Sequence, residues 1–311
     1  MNDFDGAIGL LGFGEVGQRF ASDLRAGDAH RKLATFDLLL HQAAAGEAMR
    51  RHAGAQSVEL LTDAGGLGET RGIVFSAVTA DQTLAAARSS CVRALDGTWF
   101  VDLNSAAPQV KIECAALVTA AGGRYVEAAV MGAVAPHGIR VPMLLGGANA
   151  AAAEKLLRSM GFAAEAVSAD LGVASAIKLC RSVVIKGLEA LVVESFTAAR
   201  HFGVEREVLA SLAATYPQID WEKQGDYLFS RVIQHGRRRA EEMRASAQMI
   251  DEAGMSGVMA AAAALRLQAA AELRAAGSFS DADAVRPWRE RAEEIVAKRP
   301  TGPIRRAGKR A

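Results

Sequence analysis

The chain of 311 residues has only three cysteines, Cys91, Cys114 and Cys180, at uneven spacing. An odd and scattered set gives neither a disulfide framework nor metal-ligand spacing, so the thiols are expected to be small buried hydrophobes and no metal is expected. A surplus of one charge is also missing, since 36 Lys and Arg against 35 Asp and Glu leave a net charge of +1. That balance gives no electrostatic footprint for nucleic acid or an anionic membrane. No apolar run reaches the roughly 20 residues of a bilayer span, and the alanine-dense Val258 to Leu265 stops well short of it. The start, MNDFDGAIGLLGFGE, lacks the basic region and long apolar stretch of a secretory leader. These absences make a cytoplasmic protein without nucleic-acid or membrane partners the expectation. No repeat of solenoid length appears either.

What is present is a 50% hydrophobic chain of a length that suggests about two domains. Ala7 to Leu11 is a short apolar run, followed at once by Gly12, Gly14 and Gly17 and by a helical pattern closing at Gly27. This is strand, tight turn and helix with G-x-G-x-x-G at the junction. The first glycine serves the turn, the second lets backbone approach a pyrophosphate, and the third lets the helix pack closely on the strand. A diphosphate then rests on the helix N-terminus, where unpaired N–H groups favour an anion. A second apolar run, Lys32 to Phe36, ends in Asp37, where an acid receives the ribose hydroxyls of a dinucleotide. A carboxylate there repels a 2′-phosphate, so NAD is expected over NADP, with NADP still possible. A solvated strand-end aspartate is the plainer reading of the same residue.

The alternation continues with strands over Gly72 to Val78, Thr98 to Leu103 and Tyr125 to Val130, separated by helical patterns over Asp81 to Leu95 and Pro108 to Ala121. Val141 to Leu145, a helix over Ala150 to Met160, and Ala164 to Val167 follow. Such an order predicts an α/β, Rossmann-type, doubly wound parallel sheet over residues 1–168. Ligands then bind at the carboxyl ends of the strands, which carry Val78 and Thr79, Asn104 and Ser105, and Met131 and Gly132.

Asp170 to Gly203 contains no proline and reads as one helix of about 34 residues, roughly 50 Å long at 1.5 Å per residue. One face collects Leu171, Ala174, Lys178, Arg181, Ser182, Ile185, Val192 and Phe196, and the opposite side Ile177, Val184, Leu188 and Leu191. A helix apolar nearly all round is expected to be buried. Lys178 either snorkels to the surface near the helix start or sits in a site where desolvation lets it take and give a proton. Burial on every face would require a second subunit, hence an expected homodimer. The rest is helical, with patterns over Arg206 to Tyr216, Gly225 to Ala253, Met255 to Ala276 and Arg286 to Lys298. The expected domains are therefore 1–168, an all-α region 169–298, and a flexible basic tail 299–311.

Together these features resemble the β-hydroxyacid dehydrogenase superfamily, which includes 3-hydroxyisobutyrate, tartronate semialdehyde and 6-phosphogluconate dehydrogenases. IGLLGFGEVG is similar to the family's opening cofactor motif, and VDLNSAAP to its D-x-S-T-x-x-P segment. GGRYVEAAVMGAVAPHG resembles the substrate motif D-A-P-V-S-G-G, and LGVASAIKLCRS the motif G-x-x-x-K-L-x-N-N. Met131 stands where the family usually has a serine, and Ser182, preceded by Arg181, where it has an asparagine. The C-terminal pattern looks like a phosphogluconate dehydrogenase-like branch. The resemblance implies NAD(P)-dependent hydride transfer to or from a small, carboxylate-bearing β-hydroxyacid, with Lys178 as the catalytic acid/base. It also implies a cofactor site of Gly12, Phe13, Gly14, Glu15, Val16, Gly17, Asp37, Val78, Thr79, Asn104 and Ser105, and a substrate site of Met131, Gly132, His137, Arg181 and Ser182. Arg181 is either a carboxylate clamp or a structural ion-pair residue, and His137 a second proton donor or a loop histidine. His235, Arg238 and Arg239 either reach the cleft or are exposed helix charge. The altered Met131 and Ser182 positions leave open an imine-reducing activity, and a dinucleotide-binding protein without turnover is the alternative of a different class.

Overall fold

The computed structural model describes residue 4, residues 6–70 and residues 72–298, so the basic tail expected at 299–311 lies outside the described residues. The described chain falls into two compact units. The first holds the residues up to Val183 together with Arg244–Gly257, and the second holds Val184–Met243 and the residues from Val258 onward.

The first unit is built on β1 (Ile8–Leu11), α1 (Glu15–Gly27), β2 (Leu33–Phe36), α2 (Ala43–Ala55), β3 (Glu59–Leu60), β4 (Ile73–Ser76), α3 (Thr83–Ser90), β5 (Trp99–Asp102), α4 (Pro108–Ala120), β6 (Arg124–Val130), α5 (Val134–His137), β7 (Met143–Gly146), α6 (Ala150–Ser159) and β8 (Ala164–Ser168). The eight strands form one sheet in the order β3-β2-β1-β4-β5-β6-β7-β8. β1, β2, β4 and β5 are short and fully or nearly fully buried, as expected of strands covered by helices on both faces. On one face Phe20 of α1 meets Phe75 edge-on at 5.7 Å and Phe162 at 5.4 Å, while Phe75 and Phe162 stack at 5.1 Å. Each such ring contributes about 1.5–3 kcal/mol by burial. On the other face Phe100, Tyr125, Cys114 and Val118 pack with Leu67 and Leu95.

The sheet departs from the parallel expectation at its last two strands, which run against the other six. β7 runs antiparallel to β6, and β8 then pairs parallel with β7. A parallel return needs a crossover, ordinarily a helix of several turns. Between Val130 and Met143 the chain forms only the four-residue α5 and a 3-10 turn at Gly138–Arg140, so it doubles back. The helix α2 and the two-residue strand β3 were not expected from the sequence: the alanine and glycine content of α2 weakens its helical pattern, and β3 is too short to show alternation.

α7 (Val173–Phe202) is continuous, as its proline-free sequence predicts, and passes from the first unit to the second. It is not buried all round: Val184, Leu191, Ile177, Leu188 and Ile185 are exposed, Val184 by 71% and Leu191 by 57%. α7 is followed by α8 (Glu205–Thr215), α9 (Trp221–Glu252), α10 (Val258–Ala275) and α11 (Trp288–Ala297), all in the second unit except the end of α9 from Arg244. The core of the second unit closes around Trp288, which is fully buried against Phe196 at 4.8 Å and Phe229 at 6.0 Å. The indole N–H donates to Glu222 Oε2 at 2.9 Å, satisfying the ring's polar atom. α9 is broken at His235, whose φ of −128° and ψ of 15° are not helical. Among the described residues no helix is long and apolar enough to cross a membrane.

Candidate active site

The glycine turn does what its three positions require. Gly12 has φ +94°, a left-handed conformation that favours glycine. A Cβ on Gly17 would stand 2.3 Å from the Gly12 carbonyl oxygen, so only glycine lets α1 pack this closely on the turn. A Cβ on Gly14 would meet nothing within 4 Å, which leaves open room over the first turn of α1. Gly14 is the N-cap of that helix and no side chain caps it, so its leading N–H groups have no side-chain acceptor. Open space, unpaired donors and a helix dipole together fit a diphosphate. Glu15 is exposed, Val16 is half-buried, and the Phe13 side chain is core.

Asp37 caps the turn after β2. Its Oδ2 accepts the Phe13 N–H at 2.7 Å and its Oδ1 the Leu39 N–H at 2.8 Å. The predicted ribose acid is therefore also the strut between β2 and the glycine turn, with lone pairs left on both oxygens.

The next strand ends are joined in series. Gly12 lies against Ala77 and Val78, since a Cβ there would stand 2.5 Å from the Ala77 oxygen and 3.1 Å from a Val78 methyl. The Val78 N–H donates to Asn104 Oδ1 at 2.7 Å, and Asn104 Nδ2 donates to Ser76 Oγ at 2.9 Å. Thr79 is exposed and donates to Asp81. Beyond Asn104, Ser105 Oγ accepts from Lys178 Nζ at 2.6 Å. The lysine is half-buried. The fold thus connects the glycine turn, the ends of β4 and β5, and the lysine of α7 within one compact unit.

Two buried carboxylates hold this arrangement. Asp102, the last residue of β5, pairs with Lys111 Nζ at 2.8 Å, with side chains 1% and 0% exposed. It also accepts from the Tyr125 hydroxyl at 2.7 Å and the Asn104 N–H at 3.0 Å, which fixes the loop bearing Asn104 and Ser105. Burial, then the Asp102 charge, push the Tyr125 hydroxyl well above its ordinary pKa. Burial with Asp102 likewise pushes the Cys114 thiol up to about 12. Glu127, beside Asp102 in the β5–β6 register, accepts the Gly172 N–H at 2.6 Å and the Ser175 N–H at 2.5 Å. It therefore ties down the start of α7 less than two turns before Lys178. Gly146 leaves room for this carboxylate, because a Cβ there would stand 2.7 Å from Glu127 Oε2.

Lys111, Tyr125 and Glu127 were not singled out in the sequence. Their signal is a charge or hydroxyl inside an otherwise apolar segment, as in YVEAAV. The other candidates are spread more widely. Met131 is half-buried at the end of β6, where its N–H donates to the Pro142 carbonyl at 2.8 Å, and Gly132 is exposed. His137 is exposed on α5, and its loop is tied to α1 by Arg19 Nη1 on the Ala135 carbonyl at 2.6 Å and by Asp23 on the Ile139 N–H at 3.0 Å. Arg181 is exposed and Ser182 buried, three and four residues after Lys178 and so on its side of the helix. His235, Arg238 and Arg239 lie on α9 in the second unit. Of the cysteines, Cys114 is buried and Cys91 half-buried, but Cys180 is exposed, contrary to expectation. It falls on the side of α7 that is exposed among the described residues. Among the described residues no cluster of His, Cys, Asp and Glu could hold a metal ion.

The NAD binding domain of 6-phosphogluconate dehydrogenase matches residues 7–169, and a domain of unknown function, DUF1932, matches residues 199–270. A conserved hypothetical protein of Sinorhizobium meliloti 1021 is 34% identical, with a TM-score of 0.73 over 95% of this chain and 97% of that one. A conserved protein of unknown function, described as structurally similar to 3-hydroxyacid dehydrogenases, is 29% identical with a TM-score of 0.64 over 87% of this chain and 99% of that one. The 3-hydroxyisobutyrate dehydrogenase of Mycobacterium tuberculosis shares the fold at 15% identity, with a TM-score of 0.62 over 93% of this chain and 99% of that one. With its glycine turn, its strand-end loops and its all-helical C-terminal region, the chain belongs to the β-hydroxyacid dehydrogenase superfamily.

Proposed function

We propose that this protein is a cytoplasmic nicotinamide-dependent oxidoreductase. It moves a hydride to or from the hydroxyl-bearing carbon of a small β-hydroxyacid, or of the matching semialdehyde or keto acid. The observation that carries the reading is the 2.6 Å contact of Lys178 Nζ with Ser105 Oγ, at strand ends continuous with the glycine turn. The nicotinamide, when bound, supplies the hydride chemistry. The chain supplies position and proton transfer. The turn at Gly12 to Gly17 receives the diphosphate, and Asp37 receives ribose hydroxyls. Val78, Thr79, Asn104 and Ser105 border the cofactor at the ends of β4 and β5. Lys178 takes the hydroxyl proton during oxidation and returns one during reduction, its direction fixed by the bond to Ser105. Arg181 offers a two-pronged donor to the substrate carboxylate, one turn from the lysine, with Ser182 beside it. Met131, Gly132 and His137 complete the substrate side after β6.

Asp37 favours NAD, while Arg50, whose Nη1 donates to the Leu40 carbonyl at 3.0 Å, brings a cation to the same turn. A kcat/KM ratio favouring NAD shows that the carboxylate dominates, and an NADP preference shows that Arg50 does.

A second copy of this chain covers the exposed stripe of α7. Ile177, Val184, Leu188 and Leu191 fall within about 40° of one line along the helix at 100° per residue, a narrow seam of the kind that pairs helices.

The test is a spectrophotometric screen of β-hydroxyacids with both oxidised cofactors and of cyclic imines with both reduced ones. Hydroxyacid turnover that Lys178→Met lowers by roughly 10²–10⁴-fold, with dinucleotide affinity unchanged, is the expected result. Turnover of imines alone moves the substrate class. Dinucleotide binding without any turnover marks a binding protein, and undiminished activity of the variant removes Lys178 from the chemistry.

A further inference from the structure

The helical unit contains a group of charges that the chemistry at Lys178 does not use. Lys186 and Glu189 lie on α7, and Arg231, His235, Arg238, Arg239 and Glu242 on α9. Lys186 Nζ stands 2.9 Å from Glu242 Oε2, and both side chains are nearly buried. Arg239 Nη1 stands 2.9 Å from Glu189 Oε2, with side chains 8% and 2% exposed. Arg238 Nη1 reaches the other oxygen of Glu242 at 3.4 Å. Among these side chains the cations Lys186, Arg231, Arg238 and Arg239 outnumber the carboxylates Glu189 and Glu242.

The hydrogen bonding is also incomplete. The Nε atoms of Arg231 and Arg239 are buried and meet no acceptor. The contact of Arg239 with Glu189 is ionic only, because Glu189 Oε2 accepts no hydrogen bond. At the break of α9 burial, and after it the charges of Arg231, Arg238, Arg239 and Arg274, disfavour the charged form of His235. Arg274 is already held by Asp283 at 2.6 Å. A buried guanidinium without a full set of acceptors is costly, and an anion removes that cost. Guanidinium forks match the oxygens of a carboxylate or a phosphate. Arg231 and Arg239 lie on either side of the break at His235, and both guanidinium charges act on that imidazole and on each other, so the three groups are close in space. Arg231 and His235 are half-buried and Arg239 is buried, so solvent reaches the cluster on the side of Arg231 and His235.

We propose that the cluster of Arg231, His235 and Arg239 around the break of α9 is a binding site for a small oxyanion, the carboxylate or phosphate group of a metabolite, held by the two Nε donors and the excess positive charge. The site lies wholly within the helical unit and does not depend on the assignment of Lys178.

The test uses the full chain with saturating NADH, at an ionic strength held constant with sodium chloride. Thermal unfolding is followed while malonate or inorganic phosphate is titrated, and crystals are soaked in selenate to locate the anion by anomalous scattering. A saturable rise in Tm is expected, with an anomalous peak between Arg231 and Arg239. The apparent Kd rises at least tenfold in Arg231→Gln, and also in Arg239→Lys, which keeps the charge but removes the Nε fork. The stronger of malonate and phosphate identifies the group. No saturable effect beyond that of chloride, an equal effect in both variants, or a selenate peak only at the glycine turn overturns the proposal.

Discussion

At Glu127 a carboxylate shut off from water is tolerated because the N–H groups of Gly172 and Ser175 at the start of α7 both face it. Hydrogen bonds to a charged group are worth about 1.5–3 kcal/mol each. Glu127→Gln keeps one acceptor and puts an amide against the other N–H. We expect a loss of roughly 2 kcal/mol in denaturant unfolding, together with a fall in kcat that leaves dinucleotide affinity unchanged. Equal losses in both kinetic quantities would show that Glu127 supports the whole sheet and not the lysine. The thiols separate by exposure: Cys114, buried and pushed up to about 12, stays protonated, while Cys180 is exposed. Mass spectrometry after alkylation at pH 8 is expected to find Cys114 intact in the native protein and Cys180 modified in the Leu191→Glu variant, where a second copy no longer covers α7. His235 sets a pH dependence. Burial, then the surrounding arginines, lower its pKa from 6.5 to about 4, so the folded chain binds fewer protons than the unfolded one between those values. Its contribution to stability is therefore complete above about pH 6.5 and is lost as the pH falls toward 4. Replacing it by Gln is expected to flatten the Tm profile in that window and leave the profile above it unchanged. The three glycines could be found from spacing alone, because the turn follows from local geometry, whereas helix geometry left Lys178 open between a snorkelling residue and a site, and only the resemblance of LGVASAIKLCRS to a family motif singled it out. Glu127, Lys111 and Tyr125 could not, because a lone polar residue in an apolar segment does not say which distant N–H or carboxylate it will meet.

Along α1 the tolerances of the glycine turn differ by position. Gly17→Ala drives a methyl against the Gly12 carbonyl, so α1 must move. A lower Tm and at least a tenfold loss of NADH affinity by fluorescence titration are expected. Gly14→Ala meets no neighbouring atom and is expected to fold as well as the parent, yet to bind dinucleotide more weakly because the methyl fills the open space. Equal NADH binding by both variants and the parent would remove the turn from the cofactor site. Long, proline-free α7 and the buried strands at β1, β2, β4 and β5 are legible from sequence because period and composition agree over their lengths. The reversal at β7 is not, since direction depends on whether the intervening chain can form a crossover. The pairing of two-residue β3 with β2 exists only because β2 is already in place beside it.

For the whole molecule, the α7 stripe predicts a dimer, and sedimentation should give a mass near twice that of one 32.6 kDa chain. Leu191→Glu is expected to shift that mass toward the monomer, and an unaltered monomeric mass in the parent chain would show that the stripe has no partner. The sequence by itself determined the class of fold, the glycine turn, the acid twenty residues beyond it, and the lysine on the long helix. The first three are set by periodicity and short-range spacing, which a linear chain carries openly, and the lysine stands out through the resemblance of its segment to a family motif. Only the tertiary structure decided that Lys178 meets Ser105, that Glu127 and Asp102 fasten the loops around them, that β7 turns back, and that one face of α7 stays uncovered. Those outcomes depend on residues far apart in the chain arriving at the same place. The distances between them are fixed by packing and by the need of each buried charge for a partner.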